Sequence, residues 1–404
     1  MSLKTDTPTT EPVQDRNRSC GSGRDRLEEA VLQRYAAGAA EREEGLCCPT
    51  SHFDATYLGV LPQEIIEKDY GCGDPSAHAR AGDTVIDLGS GAGKVCYVLA
   101  QRVGPTGRVF GIDFNDAMLS LARKHHRQVT EQIGYDNVSF HKARIQDLAL
   151  DLERVAEFLC EHPVATLDDL DRFQAFCERV RREEPLLAGD SVDLIVSNCV
   201  LNLVRPSDKP RLFEEMFRVL RPGGRIVISD IVCDEEPPES VRSDPDLWSG
   251  CIAGAYREDR LLQTFADTGF YGVEILSRQA EPWQVVEGIE FRSMTVRAFK
   301  PESSPCLDHG QAIIYRGPWQ AVLDDDGHRF ERGRYMAVCD RTFRQMTDPN
   351  GPYAGDVIGL EPAQPIAPDE VKPFPCGGPR ERSPQALRGA TVEDVSSCDG
   401  NGCC

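Results

Sequence analysis

From residue 82 onward, apolar positions alternate between two spacings. Short, nearly continuous apolar runs occur at TVIDLG (84–89), RVFGID (108–113), VDLIVSNC (192–199) and RIVISDIV (225–232), and a further strand is predicted at NVSFHKA (137–143), where apolar and polar residues alternate. Between them lie longer stretches with apolar residues three or four apart: KVCYVLAQRV (94–103), DAMLSLARKHHRQVTEQI (116–133), DKPRLFEEMFRVL (208–220) and DRLLQTFADTGF (259–270). The first spacing predicts strands buried on both faces, and the second predicts amphipathic helices that cover them. Two further strands are predicted near 271–278 and 291–299. Strands and helices in regular alternation predict an α/β fold built on a doubly wound, mostly parallel, seven-stranded sheet.

The pattern changes on either side of this series and once within it. Residues 1–24 are polar and predict a disordered N-terminus. Leu27, Val31, Tyr35 and Ala39 recur at helical spacing, so a helix over 25–40 opens an N-terminal lobe reaching to residue 80. That lobe carries two cysteine-bearing loops, GLCCPTSHFD and KDYGCGDP, each marked by glycine and proline. The main domain spans 81–300. It is interrupted at 150–188 by DLERVAEFLC and LDDLDRFQAFCERVRREE, which read as two inserted amphipathic helices. Residues 301–345 read as a small β region with a DDDGH turn at 324–328. From 346 to 404 the chain is rich in Pro and Gly and ends CDGNGCC, which predicts a flexible tail with terminal cysteines.

Charge and cysteine content narrow the chemistry. The 404 residues carry 66 acidic and 45 basic side chains, a net charge of −21. A field of that sign repels phosphate backbones and anionic lipid, so neither nucleic acid nor membrane is an expected partner. No apolar run reaches the roughly 18 residues of a membrane-spanning helix, and the N-terminus lacks the apolar core of a secretory signal. A cytoplasmic location is therefore expected. The chain has sixteen cysteines but no C-x-x-C pair, so a ribbon-type zinc site has no support. What remains is buried structural thiols, reactive thiols, or thiols drawn from distant segments around a soft element.

A ligand site is predicted where the first strand runs into its helix, at DLGSGAGK (87–94). Glycines 89, 91 and 93 allow a tight turn and a close backbone approach to a ligand. The second strand ends on Asp113 in GIDFNDAM, placed to accept hydrogen bonds from two ribose hydroxyls. The third strand leads to ARIQD (143–147), where Ile145 is placed to flank a purine and Asp147, or backbone beside it, to bond the purine amine. With LRPGG before the fifth strand, these motifs resemble class I S-adenosyl-L-methionine-dependent methyltransferases over about residues 80–300. The resemblance implies a Rossmann-like fold with S-adenosyl-L-methionine as cofactor. It places Gly89, Ser90, Gly91 and Gly93 at the methionine end, with Asp87 meeting the ammonium group directly or through water. Phe114 and Met118 join Asp113 in the implied cofactor site.

In that class, the loop after the fourth strand lies over the methyl group to be transferred, which places Asn198-Cys199 beside it. YGCG around Cys72, SNCVLNLV around Cys199 and W-x-x-C-x-x-GA around Cys251 resemble, in the same chain order, the cysteine motifs of arsenite methyltransferases. The resemblance implies methylation of trivalent arsenic, as arsenite or its glutathione conjugate, in arsenic detoxification. By position, Cys199 and Cys251 are the implied persistent arsenic ligands, and Cys72 is a third thiolate and redox partner. Cys48, or its neighbour Cys47, pairs with Cys72 in a disulfide during turnover. Tyr70 touches the cofactor carboxylate and Asn198 its amino-acid end. Thioredoxin or glutathione is the implied reductant. Two rivals remain open from the residues: a methyltransferase for another small molecule with structural cysteines, and a non-catalytic metalloid-binding protein.

Overall fold

The computed structural model describes residues 23–43, 46, 53–375 and 381–389. Cys47, Cys48, nearly all of the polar N-terminal segment and the terminal cysteines lie outside the described residues. Seven strands form the path of the central sheet: β1 (Thr84–Leu88), β2 (Arg108–Asp113), β3 (Val138–Lys142), β4 (Val192–Asn198), β5 (Leu220–Cys233), β6 (Tyr271–Arg278) and β7 (Ile289–Phe299). Their order is β3-β2-β1-β4-β5-β7-β6. Neighbours are parallel through β5, and β7 lies antiparallel between β5 and β6. Val85, Ile86, Leu194, Ile195, Ile226 and Val227 are fully buried, as expected of strands covered on both faces.

Helices close both faces: α2 (Lys94–Val103), α3 (Asp116–Ile133), α6 (Lys209–Val219) and α7 (Glu258–Thr268). The boundaries of α3 follow from local chemistry. Asn115 accepts from the N–H groups of Ala117 and Met118 to cap its start, and Gly134 at φ +86° ends it. The N-terminal helix α1 (Gly23–Ala40) packs on the short helix Pro245–Ser249. There Arg34 donates to the Asp246 carbonyl (3.1 Å) and to Ser249 Oγ (3.2 Å).

The insert is a helical hairpin, α4 (Leu152–Glu161) and α5 (Leu167–Glu183). A capping box between Thr166 and Asp169 starts α5, and Phe158 stacks on Phe176 with ring centroids 4.1 Å apart. Arg181 donates to both carboxylate oxygens of Asp147 (2.8–3.2 Å), which fastens the hairpin to the segment after β3.

The C-terminal unit continues past residue 345, into what composition marks as tail. Strand Val357–Leu360 pairs antiparallel with Ala312–Tyr315, which also pairs with Met336–Ala337. Ile313, Tyr315, Phe330, Met336, Phe343 and Met346 form its buried cluster. Ile358 is exposed and Val357 half-buried, so this edge strand lacks the strong apolar run that would distinguish it from a Pro/Gly-rich coil.

Candidate active site

The C-terminal ends of β1, β2 and β4 open onto a cleft. Open α/β sheets place ligands at this edge, where the strand order reverses between β1 and β4. Gly89 and Gly91 line the cleft at φ +69° and +51°, a backbone region that L side chains avoid. A Cβ on Gly89 would come within 2.5 Å of Val200. Ser90 lies between them, and its Oγ is buried without a hydrogen-bond partner among the described residues.

Asp113 shapes the same turn. Its carboxylate accepts the N–H of Gly91 (2.9 Å) and of Asn115 (2.8 Å). Burial pushes the carboxyl above its ordinary pKa, against the pull of those N–H groups. Asp87 is buried deeper still, accepts from Cys96 Sγ at 3.2 Å, and is held well above the usual carboxylate range by desolvation.

Phe114, Met118 and Ile145 form an apolar wall. Tyr70 and Asn198 also face the cleft, but their polar atoms are engaged elsewhere. Tyr70 Oη accepts the Glu43 N–H (2.9 Å) and donates to the Gly38 carbonyl (3.2 Å). Asn198 accepts the N–H groups of Cys72 (2.8 Å) and Gly73 (3.2 Å) and donates to the Gly73 carbonyl (2.9 Å).

Two expected residues take other roles. Gly93 does not line the cleft. It begins α2 at φ +89°, where a Cβ would come within 2.8 Å of Phe140, so it serves helix–sheet contact. Asp147 is occupied by Arg181 and Arg211 (2.8 and 3.0 Å), and Gln146 faces the cleft instead.

Lys94, the last residue of DLGSGAGK, and Asp69, within KDYGCGDP, form a buried ion pair (3.2 Å) for which the sequence gives no local signal. Lys94 Nζ also donates to the Asp69 carbonyl (3.1 Å), which ties the segment entering YGCG to the helix leaving the glycine turn. Removing one member would strand a buried charge.

Beside the cleft lies a second, smaller pocket, whose lining includes Tyr35, Tyr70, Gly71, Cys199, Cys251 and Trp283. Tyr35, Tyr70 and Cys199 line both spaces. Cys72, Cys199 and Cys251 are buried in one cluster with Ile231, Ile252 and Phe291. Cys72 and Cys199 are joined as a disulfide. Cys251 Sγ donates to the Cys199 carbonyl (3.2 Å) and lies 3.8 Å from Tyr35 Oη. No cluster of three or more His, Cys, Asp or Glu is arranged to hold a metal ion among the described residues.

The backbone at these cysteines is unusual. Cys199 and Cys251 have φ +60° and +63°, two of four non-glycine residues with positive φ among those described. Such a conformation costs roughly 1–2 kcal/mol per residue. Surrounding hydrogen bonds impose it. Cys199 N–H donates to the Ser229 carbonyl (2.8 Å), extending the β4–β5 ladder, and Cys251 N–H donates to the Trp248 carbonyl (3.1 Å). Asn202 joins the two loops: its Nδ2 donates to the carbonyls of Ile231 (2.7 Å) and Cys251 (3.0 Å). Glycines make room for Cys72, because a Cβ at Gly71 would collide with the Asn198 amide and one at Gly73 would lie 2.6 Å from Ser229 Oγ. Strain of this kind persists where the surroundings over-determine it, and it points to function.

Behind the loops, Asp230 accepts the N–H groups of Leu201 (2.9 Å) and Ile231 (2.8 Å). Burial raises its carboxyl from 3.8 to about 6, opposed by those N–H groups and by Lys209. Lys209 is lowered to about 8, chiefly by burial, and donates to the Gly254 carbonyl (2.6 Å). A raised carboxyl pKa means that the folded state binds the proton more tightly. Stability from this group therefore falls as pH rises from about 4 to about 6, by on the order of 3 kcal/mol. Asp230→Asn should lack that fall. Urea unfolding of both proteins at pH 4 and pH 7 checks this: the variant's stability relative to wild type should improve at the higher pH, and parallel pH dependences would contradict the assignment.

Comparison with known proteins fits this arrangement. A methyltransferase domain model matches residues 79–269, and a domain of unknown function matches 302–392. The arsenite methyltransferase of Aquipseudomonas alcaligenes is 32% identical over 354 residues, 82% of this chain and 91% of that protein. The chain belongs to the arsenite methyltransferase family. It is a methyltransferase enzyme of class I fold. The arsenite methyltransferase of Mus musculus is 28% identical over 77% of this chain and 75% of its own length. The crystal structure of the arsenic(III) S-adenosylmethionine methyltransferase from Chlamydomonas reinhardtii superposes with a TM-score of 0.52 at 29% identity, covering 77% of this chain and 97% of that one. No helix among the described residues is long and apolar enough to cross a membrane.

Proposed function

We propose that this protein methylates trivalent arsenic held by the thiolates of Cys199, Cys251 and, once reduced, Cys72. The observation that carries the reading is the placement of two left-handed cysteines in one small pocket that shares a wall with the ligand cleft. Soft trivalent arsenic prefers thiolate to carboxylate or water. Three sulfurs hold it as a pyramid with its lone pair free, and the buried pocket keeps water away.

The cleft suits S-adenosyl-L-methionine. Asp69 and Asp87 give it an acidic end, Asp113 stands ready for ribose hydroxyls, Ile145 and Met118 offer apolar surface to a purine, and Ser90 keeps an unused hydroxyl. Bound there, the cofactor supplies a methyl group already activated by a sulfonium, so the chain needs no general base. Its residues contribute alignment of the sulfur pocket with the cleft.

Methylation raises arsenic formally from trivalent to pentavalent, and two electrons return it to the trivalent state. A thiol pair that becomes a disulfide supplies them, and thioredoxin or glutathione restores the thiols. The Cys72–Cys199 disulfide represents the oxidised form on this reading, which blocks arsenic until it is reduced. Cys48 or Cys47 is the proposed exchange partner of Cys72. Arsenite or its glutathione conjugate is the proposed substrate, detoxification the role, and the cytoplasm the setting. Incubating the reduced protein with arsenite, glutathione and S-adenosyl-L-methionine, followed by arsenic speciation, should yield methylated arsenic. Its absence would remove the proposal.

A further inference from the structure

One thiol pair has no place in the chemistry above. Cys339 is the N-cap of the helix Asp340–Thr347 in the C-terminal unit and is 2% exposed. Its sulfur accepts the Thr342 N–H at 3.4 Å and lies 3.2 Å from Thr342 Oγ1. Cys306, half-buried, immediately precedes the strand Leu307–Asp308, which packs against that helix and brings its thiol beside the Cys339 sulfur. The two segments are fastened together. Arg344, on the helix, donates to Glu302 (2.8 Å) and to Ser304 Oγ (3.2 Å), and the Phe374 N–H donates to the Cys306 carbonyl (2.8 Å). Burial raises the Cys339 pKa, but the bonds from Thr342 and Cys306 and the charge of Arg341 bring it below its ordinary 9. Cys339 therefore ionises more readily than an ordinary thiol, next to a second, more accessible one.

We propose that Cys306 and Cys339 form a dithiol site for a monosubstituted trivalent arsenical, R–As(OH)₂, separate from the sulfur pocket. Two adjacent thiols match the two exchangeable bonds of such a compound, whereas arsenite would retain a hydroxyl. On binding, two S–H and two As–O bonds break, two As–S and two O–H bonds form, and two waters leave. Arsenic stays trivalent, and no electrons move. Cys306 takes the arsenical first because it is the more exposed thiol, and Cys339 closes the ring. The site rests on the arsenic-methylating reading in one respect: a single methyl transfer followed by reduction generates this class of compound.

The test treats the intact, reduced protein with phenylarsine oxide, then denatures it, alkylates with N-ethylmaleimide and maps peptides under non-reducing conditions. The expected result is a phenylarsenic bridge between the peptides containing Cys306 and Cys339, with alkylation of both at least tenfold lower than in untreated protein. Cys339→Ser should leave Cys306 fully alkylated, and Cys306→Ser should do the same for Cys339. Full alkylation of both cysteines in treated wild type, or a bridge from either to a different cysteine, overturns the proposal. The peptides containing Cys199 and Cys251 are read in the same map. Modification confined to them would sink the dithiol site alone, and a bridge at 306–339 without arsenical at 199 and 251 would count only against the proposed function.

Discussion

Replacing Cys251 with serine should lower arsenite methylation on the order of a thousandfold, equivalent to about 4 kcal/mol of lost transition-state stabilisation. Serine is nearly isosteric and leaves the buried turn at φ +63° in place, held by the Cys251 N–H to Trp248 and the Cys251 carbonyl to Asn202. The change is therefore one of chemistry: a hard hydroxyl replaces a soft sulfur in the arsenic cage. Cys199→Ser should match it, on arsenite and on methylarsenite alike. Arsenic speciation checks the rates, and calorimetric titration with S-adenosyl-L-methionine should give an unchanged affinity for the Cys251 variant, since Cys251 does not line the cleft. Turnover within tenfold of wild type would remove Cys251 from the cage.

The second large effect is expected at a residue that touches neither arsenic nor cofactor. Asn202 is 1% exposed, and its amide nitrogen faces two carbonyl oxygens, those of Ile231 and Cys251. Asn202→Asp keeps the shape and reverses the polarity. A carboxylate would confront both carbonyls as an unpaired buried charge, a cost of roughly 3–5 kcal/mol that the chain can relieve by letting the Cys251 loop move away. Gly254 abuts the Asn202 carbonyl and leaves little room for local adjustment. Arsenite affinity and turnover should fall at least a hundredfold, on the order of 3 kcal/mol. Cofactor affinity should stay within about threefold, because the glycine turn and Asp113 belong to β1 and β2. Equal losses of arsenite and cofactor binding would show that Asn202 merely supports the fold.

The sheet was legible because its central parallel strands are short apolar runs and the edge strand β3 alternates apolar with polar residues. Cys199 at the end of β4 was legible for the same reason, as the C-terminal edge of such a sheet is where ligands lie. Positive φ at Cys199 and Cys251 was not, because cysteine gives no local signal for that conformation; the hydrogen bonds that impose it come from Ser229, Trp248 and Asn202. Asn198 faces the cleft as expected, yet its amide is engaged by Cys72 and Gly73, 126 and 125 residues away, which no local pattern reveals. Asp147 stands at a favourable distance after β3, but an arginine from the inserted hairpin captures it. Val357–Leu360 escaped notice because a short edge strand buries too little to show in its apolar pattern.

The central claim, that one arsenic atom is gripped by sulfurs from three distant segments, is tested most directly by a crystal of the reduced protein soaked in arsenite, with anomalous diffraction collected at the arsenic edge. The account predicts a single strong peak bonded to Sγ of Cys72, Cys199 and Cys251 on the wall of the cleft. A peak held by other residues, or no arsenic within bonding distance of both Cys199 and Cys251, would contradict it.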